Sequence, residues 1–268
     1  MAITLGTPVT SQTTTTAITN GSASSTLVVG VACSIASGGA PDISATYNSI
    51  AMTKLKQQTD AGHGACALFS MTSPSTGANN VVITPAVSTI NTISVFIVEL
   101  TANTNSGQPG ATDGNIPTQV PSTGLVCTAV NGLVFDVRLV ANEAGYTVGA
   151  SQTQLFNNIN MGSGANLTAL ASYEHYTSGT VTMSWSGASA TDQYCLVEIK
   201  GIVPTAYTLT AGTGSFALTF WDAILRTVGI TNVSKPTTSI TNTSKPTTTF
   251  TNVSKPSTSI TNSSKPNL

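Results

Sequence analysis

GLVFDVRLV, residues 132–140, decides the fold class. Side chains of a strand point alternately to its two faces. Asp136 and Arg138 then share one face, and Phe135, Val137 and Leu139 share the other. YCLVEIK, residues 194–200, repeats the pattern, with the charged Glu198 and Lys200 on the face opposite Cys195, Val197 and Ile199. One wet face and one dry face per strand is what an antiparallel β-sandwich requires. On this reading Asp136 and Arg138 pair on the solvent side, where an ion pair is worth about 0–1 kcal/mol.

Working outward, further strand-like runs recur every ten to twenty residues with no helical period between them. They are Thr26 to Cys33, Ile43 to Tyr47, Ile50 to Leu55, Cys66 to Met71, Asn80 to Pro85, Ile93 to Leu100, Leu167 to Tyr176, Thr180 to Trp185 and Tyr194 to Ile202. Asn48-Ser49 reads as a two-residue hairpin turn. The chain therefore divides into a β-sandwich domain over 1–202, a junction over 203–229 and a repeat tail over 230–268.

The tail is ITNVSKPTTS, ITNTSKPTTT, FTNVSKPSTS and ITNSSKPNL, aligned without gaps at a period of ten. Ile230, Ile240, Phe250 and Ile260 form one column, with Val233 and Val253 as minor apolar helpers. Lys235, Lys245, Lys255 and Lys265 each precede a proline, which holds the lysine extended and excludes helix and long central strands. Burying one large apolar side chain per repeat contributes about 1.5–3 kcal/mol. Ordering ten residues costs roughly 10–20 kcal/mol. The tail is expected to be extended and non-globular by itself, and to order against another surface or its own copies. The columns at 230, 233, 235, 240, 245, 250, 253, 255, 260 and 265 are the candidate contacts.

Composition narrows the function. Only 7% of the 268 residues are charged, against about 25% in an ordinary soluble domain. The net charge is -1; residues 1–202 carry -5, the junction 0 and the tail +4. The absence of a basic stripe argues against nucleic-acid binding. No apolar run reaches the roughly 18–20 residues of a membrane span, and the first dozen residues do not read as a secretory signal. The Asn-x-Ser triplets of the tail, which would be glycosylation acceptors in a secretory route, are therefore read as part of the repeat.

Candidate chemistry is sparse. His63 and Cys66 in GHGAC offer two metal ligands where a zinc site needs four groups, or three and a water. Glu174 and His175 are adjacent in a strand and point to opposite faces. Glu99, Asp113, Asp136, Glu143, Glu174 and Asp192 are the carboxylates available for paired acid–base work, and nothing in the sequence brings two together. No nucleophile elbow, zinc-protease helix, P-loop or dinucleotide fingerprint occurs. The expectation is a non-enzyme with no cofactor and no metal. The cysteines at 33, 66, 127 and 195 read as buried thiols, with a disulfide open but no pair singled out by spacing. Tyr173, Tyr176 and Trp185, with Tyr47 and Phe156, are candidates for an aromatic glycan platform, though such residues also serve as core.

Three stretches resemble phage proteins. ISATYNSIAMTKL (43–55), LFSMTSPSTGANNVVIT (68–84), YTVGASQTQLFNN (146–158) and GTVTMSWSGASATDQYCLVEIK (179–200) follow the order of a jelly-roll-like β-sandwich module found in phage virion and bacterial surface proteins. YTLTAGTGSFALTFWDAIL (207–225) resembles a short repeat of phage structural proteins, with Phe220-Trp221 where the pattern has small residues. The TNVSKPTTS decapeptide looks like the tail repeats of phage virion proteins. The resemblance implies a tailed-phage structural protein located in the virion, and does not itself say in which part; the small chain, without an obvious receptor domain, puts a capsid decoration or head fibre slightly ahead of a tail or baseplate fibre. The resemblance also implies other virion proteins as partners and a homo-oligomer, a trimer by precedent. A carbohydrate-binding adhesin recognising a host-surface glycan is the alternative.

Overall fold

The computed structural model describes residues 3–36, 39, 41–86, 89–101, 108–115, 123–141, 145–158, 161, 167–187 and 192–201, together with the backbone of four strands between 227 and 262. Among the described residues every regular element is a β-strand. Residues 1–203 form one compact unit and residues 204–268 another.

The first unit runs β1 (Thr4–Leu5), β2 (Val9–Ser11), β3 (Thr15–Asn20), β4 (Thr26–Ile35), β5 (Ile43–Tyr47), β6 (Ile50–Ala51), β7 (Thr53–Asp60), β8 (Gly64–Thr72), β9 (Gly77–Pro85) and β10 (Ile90–Thr101). It continues with β11 (Gln108–Asn115), β12 (Thr123–Val126), β13 (Leu133–Val140), β14 (Thr147–Val148), β15 (Thr153–Asn158), β16 (Thr168–His175), β17 (Thr180–Met183), β18 (Trp185–Ser186) and β19 (Asp192–Lys200). All pairings in this unit are antiparallel. The hairpin at Asn48-Ser49 is present, with φ of 49° and 64°, the left-handed pair of a type I′ turn.

One strand order occurs twice. The first sheet is ordered β1-β10-β4-β8-β7, with β2 also on β10; the second is β11-β19-β13-β16-β15. The partial outer layers also correspond: β9 pairs β3 and β5, as the β17 and β18 segments pair β12 and β14. The register agrees to the residue. Gly30 lies opposite Phe96 and Leu68, and Val137 opposite Cys195 and Ala171. Both edge strands carry their irregularity at a leucine, Leu55 between Lys54 and Lys56, and Leu155 between Gln154 and Phe156. VFIVEL (95–100) of β10 and YCLVEI (194–199) of β19 occupy corresponding places.

The two five-order sheets face each other over one large apolar cluster that includes Phe96, Phe135, Phe156, Leu68, Leu133 and Leu139. On its other side the first sheet packs against β3, β5 and β9 through Ile43, Tyr47, Phe69 and Ile83. β12 and β17 cover the second sheet's far side at one end and β14 and β18 at the other. Central strands buried on both faces should be uniformly apolar. β4, TLVVGVACSI, obeys this, and all ten of its residues are buried.

β13 does not obey it, and here the sequence expectation is corrected. All eight of its residues are buried, Asp136 and Arg138 included, and Glu198 of β19 is buried too. Polar alternation in VFDVRLV and YCLVEIK marks a buried polar layer under β12, β14, β17 and β18, not a wet face.

Gly30 sits where the halves meet. A Cβ there would lie 2.0 Å from Phe96 Cε1 and 2.6 Å from Val137 Cγ2. Phe96 is fully buried and stacks on Phe135 at 5.6 Å between ring centroids, in an interior where close packing resists added volume. Gly30→Val is expected to destabilise the full chain by about 1–3 kcal/mol through overpacking, read as a lowered denaturation midpoint.

Candidate functional site

The tail is built from its sequence period. Its strands are β20 (Thr227–Asn232), β21 (Ser239–Asn242), β22 (Thr247–Asn252) and β23 (Ser259–Asn262). β20 pairs β22 in parallel, placing Ile230 opposite Phe250 and Asn232 opposite Asn252. β21 pairs β23 in parallel, placing Ile240 opposite Ile260 and Asn242 opposite Asn262. Each repeat thus pairs with the one two places on. Parallel strands need a crossover of a dozen or more residues, and pairing two repeats on leaves 14 residues (233–246) between β20 and β22 and 16 (243–258) between β21 and β23. Every strand stops before its Ser-Lys-Pro, as proline without an N–H dictates. Val233, Val253, Lys235, Lys245, Lys255 and Lys265, and the expectation of an extended tail there, lie outside the described residues.

The aromatic candidates are not brought together on one open face. Trp185 is 4% exposed, and its Nε1–H donates to Asp136 Oδ2 at 2.9 Å. Tyr176 is 7% exposed, and its hydroxyl donates to Glu198 Oε1. Tyr173 packs beside Phe135 in a different cluster, with its ring centroid 6.0 Å away. Tyr47 and Phe156 are buried in the two halves' cores. Tyr47, Phe156, Tyr176 and Trp185 belong to the interior, and Tyr173 is partly buried at the margin of the core.

Two buried polar centres hold the second half. Asp136 accepts from Arg138 Nε at 2.8 and 3.1 Å, Arg138 Nη2 donates to the Met183 carbonyl at 3.2 Å, and the guanidinium lies over the Tyr194 ring at 5.5 Å. Full burial raises the Asp136 pKa, and Arg138 and Trp185 pull against that rise. Glu198 accepts from the N–H groups of Ala111 (2.7 Å), Thr128 (2.9 Å) and Ala129 (2.9 Å), and from the hydroxyls of Thr128 and Tyr176. Burial opposes its ionisation, but these donors, Tyr176 foremost, outweigh it and hold the pKa at about 2. Glu99, in the corresponding place on β10, accepts from Gly21 and Ser22 N–H at 3.2 Å each. In both halves, then, a glutamate of the last strand holds the turn that leads into the first central strand.

Other candidates disperse. His63 Nδ1 meets Asp60 Oδ2 at 2.6 Å near the surface, whereas Cys66 is buried between the sheets. Glu174 is half-buried, its pKa raised by burial, and His175 is exposed beside Tyr173. Among the described residues no three His, Cys, Asp or Glu side chains gather as a metal centre would require. The sequence reading missed the Glu198 centre; the signal was VEL and VEI recurring at the ends of two otherwise apolar runs. Comparison with known proteins finds no matching family model, no similar curated protein and no similar solved structure.

Proposed function

We propose that the chain is a non-enzymatic structural protein of a tailed-phage virion. It is displayed on the particle surface as a capsid decoration or head fibre, and its C-terminal repeats anchor or oligomerise it with other virion proteins. The observation that carries this reading is the decapeptide array, whose apolar and Asn columns pair in register two repeats on. Among the described residues neither tail sheet has a third strand. A two-stranded sheet is marginal in water, and its edges are completed by further strands, here those of neighbouring copies or a partner. A trimer fits the precedent of phage structural proteins and the need of the repeats for a partner surface. Four weakly held repeats on one chain act together through effective concentration, so modest contacts suffice. The glycan alternative lacks comparable support, because Tyr176 and Trp185 are interior.

The test is incorporation. Deletion of 230–268 is expected to leave residues 1–203 folded and to abolish recovery of the protein in purified particles, scored by mass spectrometry. Serine at 230, 240, 250 and 260 together is expected to reduce recovery. Undiminished incorporation of the deletion variant overturns the anchoring role.

A further inference from the structure

We propose that Cys66 and Cys195 form a disulfide that staples the two halves of the first unit. Cys66 lies on β8 of the first half and Cys195 on β19 of the second, 129 residues apart. Both side chains are fully buried in the cluster between the two large sheets. Their Sγ atoms are 3.3 Å apart, and the Cys195 thiol is also 3.3 Å from the Cys66 carbonyl oxygen. A disulfide has an S–S distance of about 2.05 Å, so the sulfurs close by roughly 1.2 Å through side-chain rotation. The other two cysteines face elsewhere. Cys33 packs on the opposite side of the first sheet, and Cys127 lies at the outer layer near Leu125. The pairing thus follows from which strand faces meet, which the sequence spacing does not reveal.

The oxidant is a low-molecular-weight disulfide, met outside a reducing cytoplasm. One cysteine thiolate attacks it, forming a mixed disulfide and expelling one small thiolate. The second cysteine thiolate attacks the protein sulfur of that bond and expels the other. Two protein thiols lose two protons and two electrons, and one small disulfide becomes two small thiols. Since both sulfurs are buried, the exchange proceeds while the sheets are apart, during folding or transient opening.

The full chain is refolded, and separately incubated native, in a buffer of oxidised and reduced glutathione, then alkylated in denaturant and digested. The expected result in the refolded sample is two of the four thiols protected and one crosslinked peptide pair joining 66 to 195. Thermal unfolding is expected to rise by on the order of 5–10 °C and to fall back on adding dithiothreitol. Cys33→Ala/Cys127→Ala should keep both effects, and Cys195→Ala should lose both. Four alkylatable thiols after both treatments, or a crosslink through Cys33 or Cys127, overturns the proposal.

Discussion

Glu198→Ala is expected to lower the unfolding free energy by about 3–5 kcal/mol at pH 7, measured by denaturant titration of the full chain. The loss comes from what is left behind. Three N–H groups, of Ala111, Thr128 and Ala129, and the hydroxyls of Thr128 and Tyr176 lose their shared acceptor inside the protein. Glu198→Gln keeps one acceptor oxygen and is expected to cost about 1–3 kcal/mol. The carboxylate also makes stability depend on pH. Its pKa falls from 4.5 to about 2 on folding, so the folded chain binds this proton more weakly and ionisation favours folding. The contribution, about 3 kcal/mol, is complete above pH 4.5, declines as the pH falls and is gone below pH 2. The Gln variant should lack that part of the acid slope. Glu99 supplies the internal comparison. Half-exposed, with Gly21 and Ser22 as its donors, it should cost about 1 kcal/mol when replaced by alanine.

The all-β class and most long strands are legible in the sequence because β4, β8, β10, β13, β16 and β19 are apolar or β-branched runs bounded by turn residues. The short strands β1, β2 and β14 are not, since two or three residues carry no period, whereas β6 is legible as the start of the Ile50 to Leu55 run across the Asn48-Ser49 turn. β7, TKLKQQTD, reads as polar because it lies at a sheet edge. Polar alternation in β13 and β19 misleads for a definite reason. Alternation reports a change of chemistry between faces, and only long-range packing decides whether the polar face meets water or another layer. The same limit applies to the cysteines. Spacing could not choose a pair, because Cys66 and Cys195 meet through the packing of two sheets formed by distant segments. In the tail, the columns at ten residues are plain in the sequence. Their pairing at twenty depends on how parallel strands must be connected.

The repeated strand order makes the Asp136–Arg138 pair testable against the protein's own alternative. By register, Asp136 corresponds to Val29 and Arg138 to Val31, which line an apolar cluster in the first half. The same backbone frame therefore accepts either an ion pair or two valines. Asp136→Val alone takes the Asp136 carboxylate away from a buried guanidinium and is expected to cost about 3–5 kcal/mol. Arg138→Leu alone strands a buried carboxyl whose pKa burial already raises; the acid can protonate, so the cost is expected to be smaller, about 2–4 kcal/mol. The double variant removes both charges and is expected to cost only about 1–2 kcal/mol. That residue is attributable to Trp185 Nε1–H and the Met183 carbonyl, which lose their partners. Such a cycle yields a coupling of several kcal/mol. Simple additivity would instead mean that each side chain is held by its other neighbours, and that the layer over the second sheet, not the ion pair, fixes the polar face of β13.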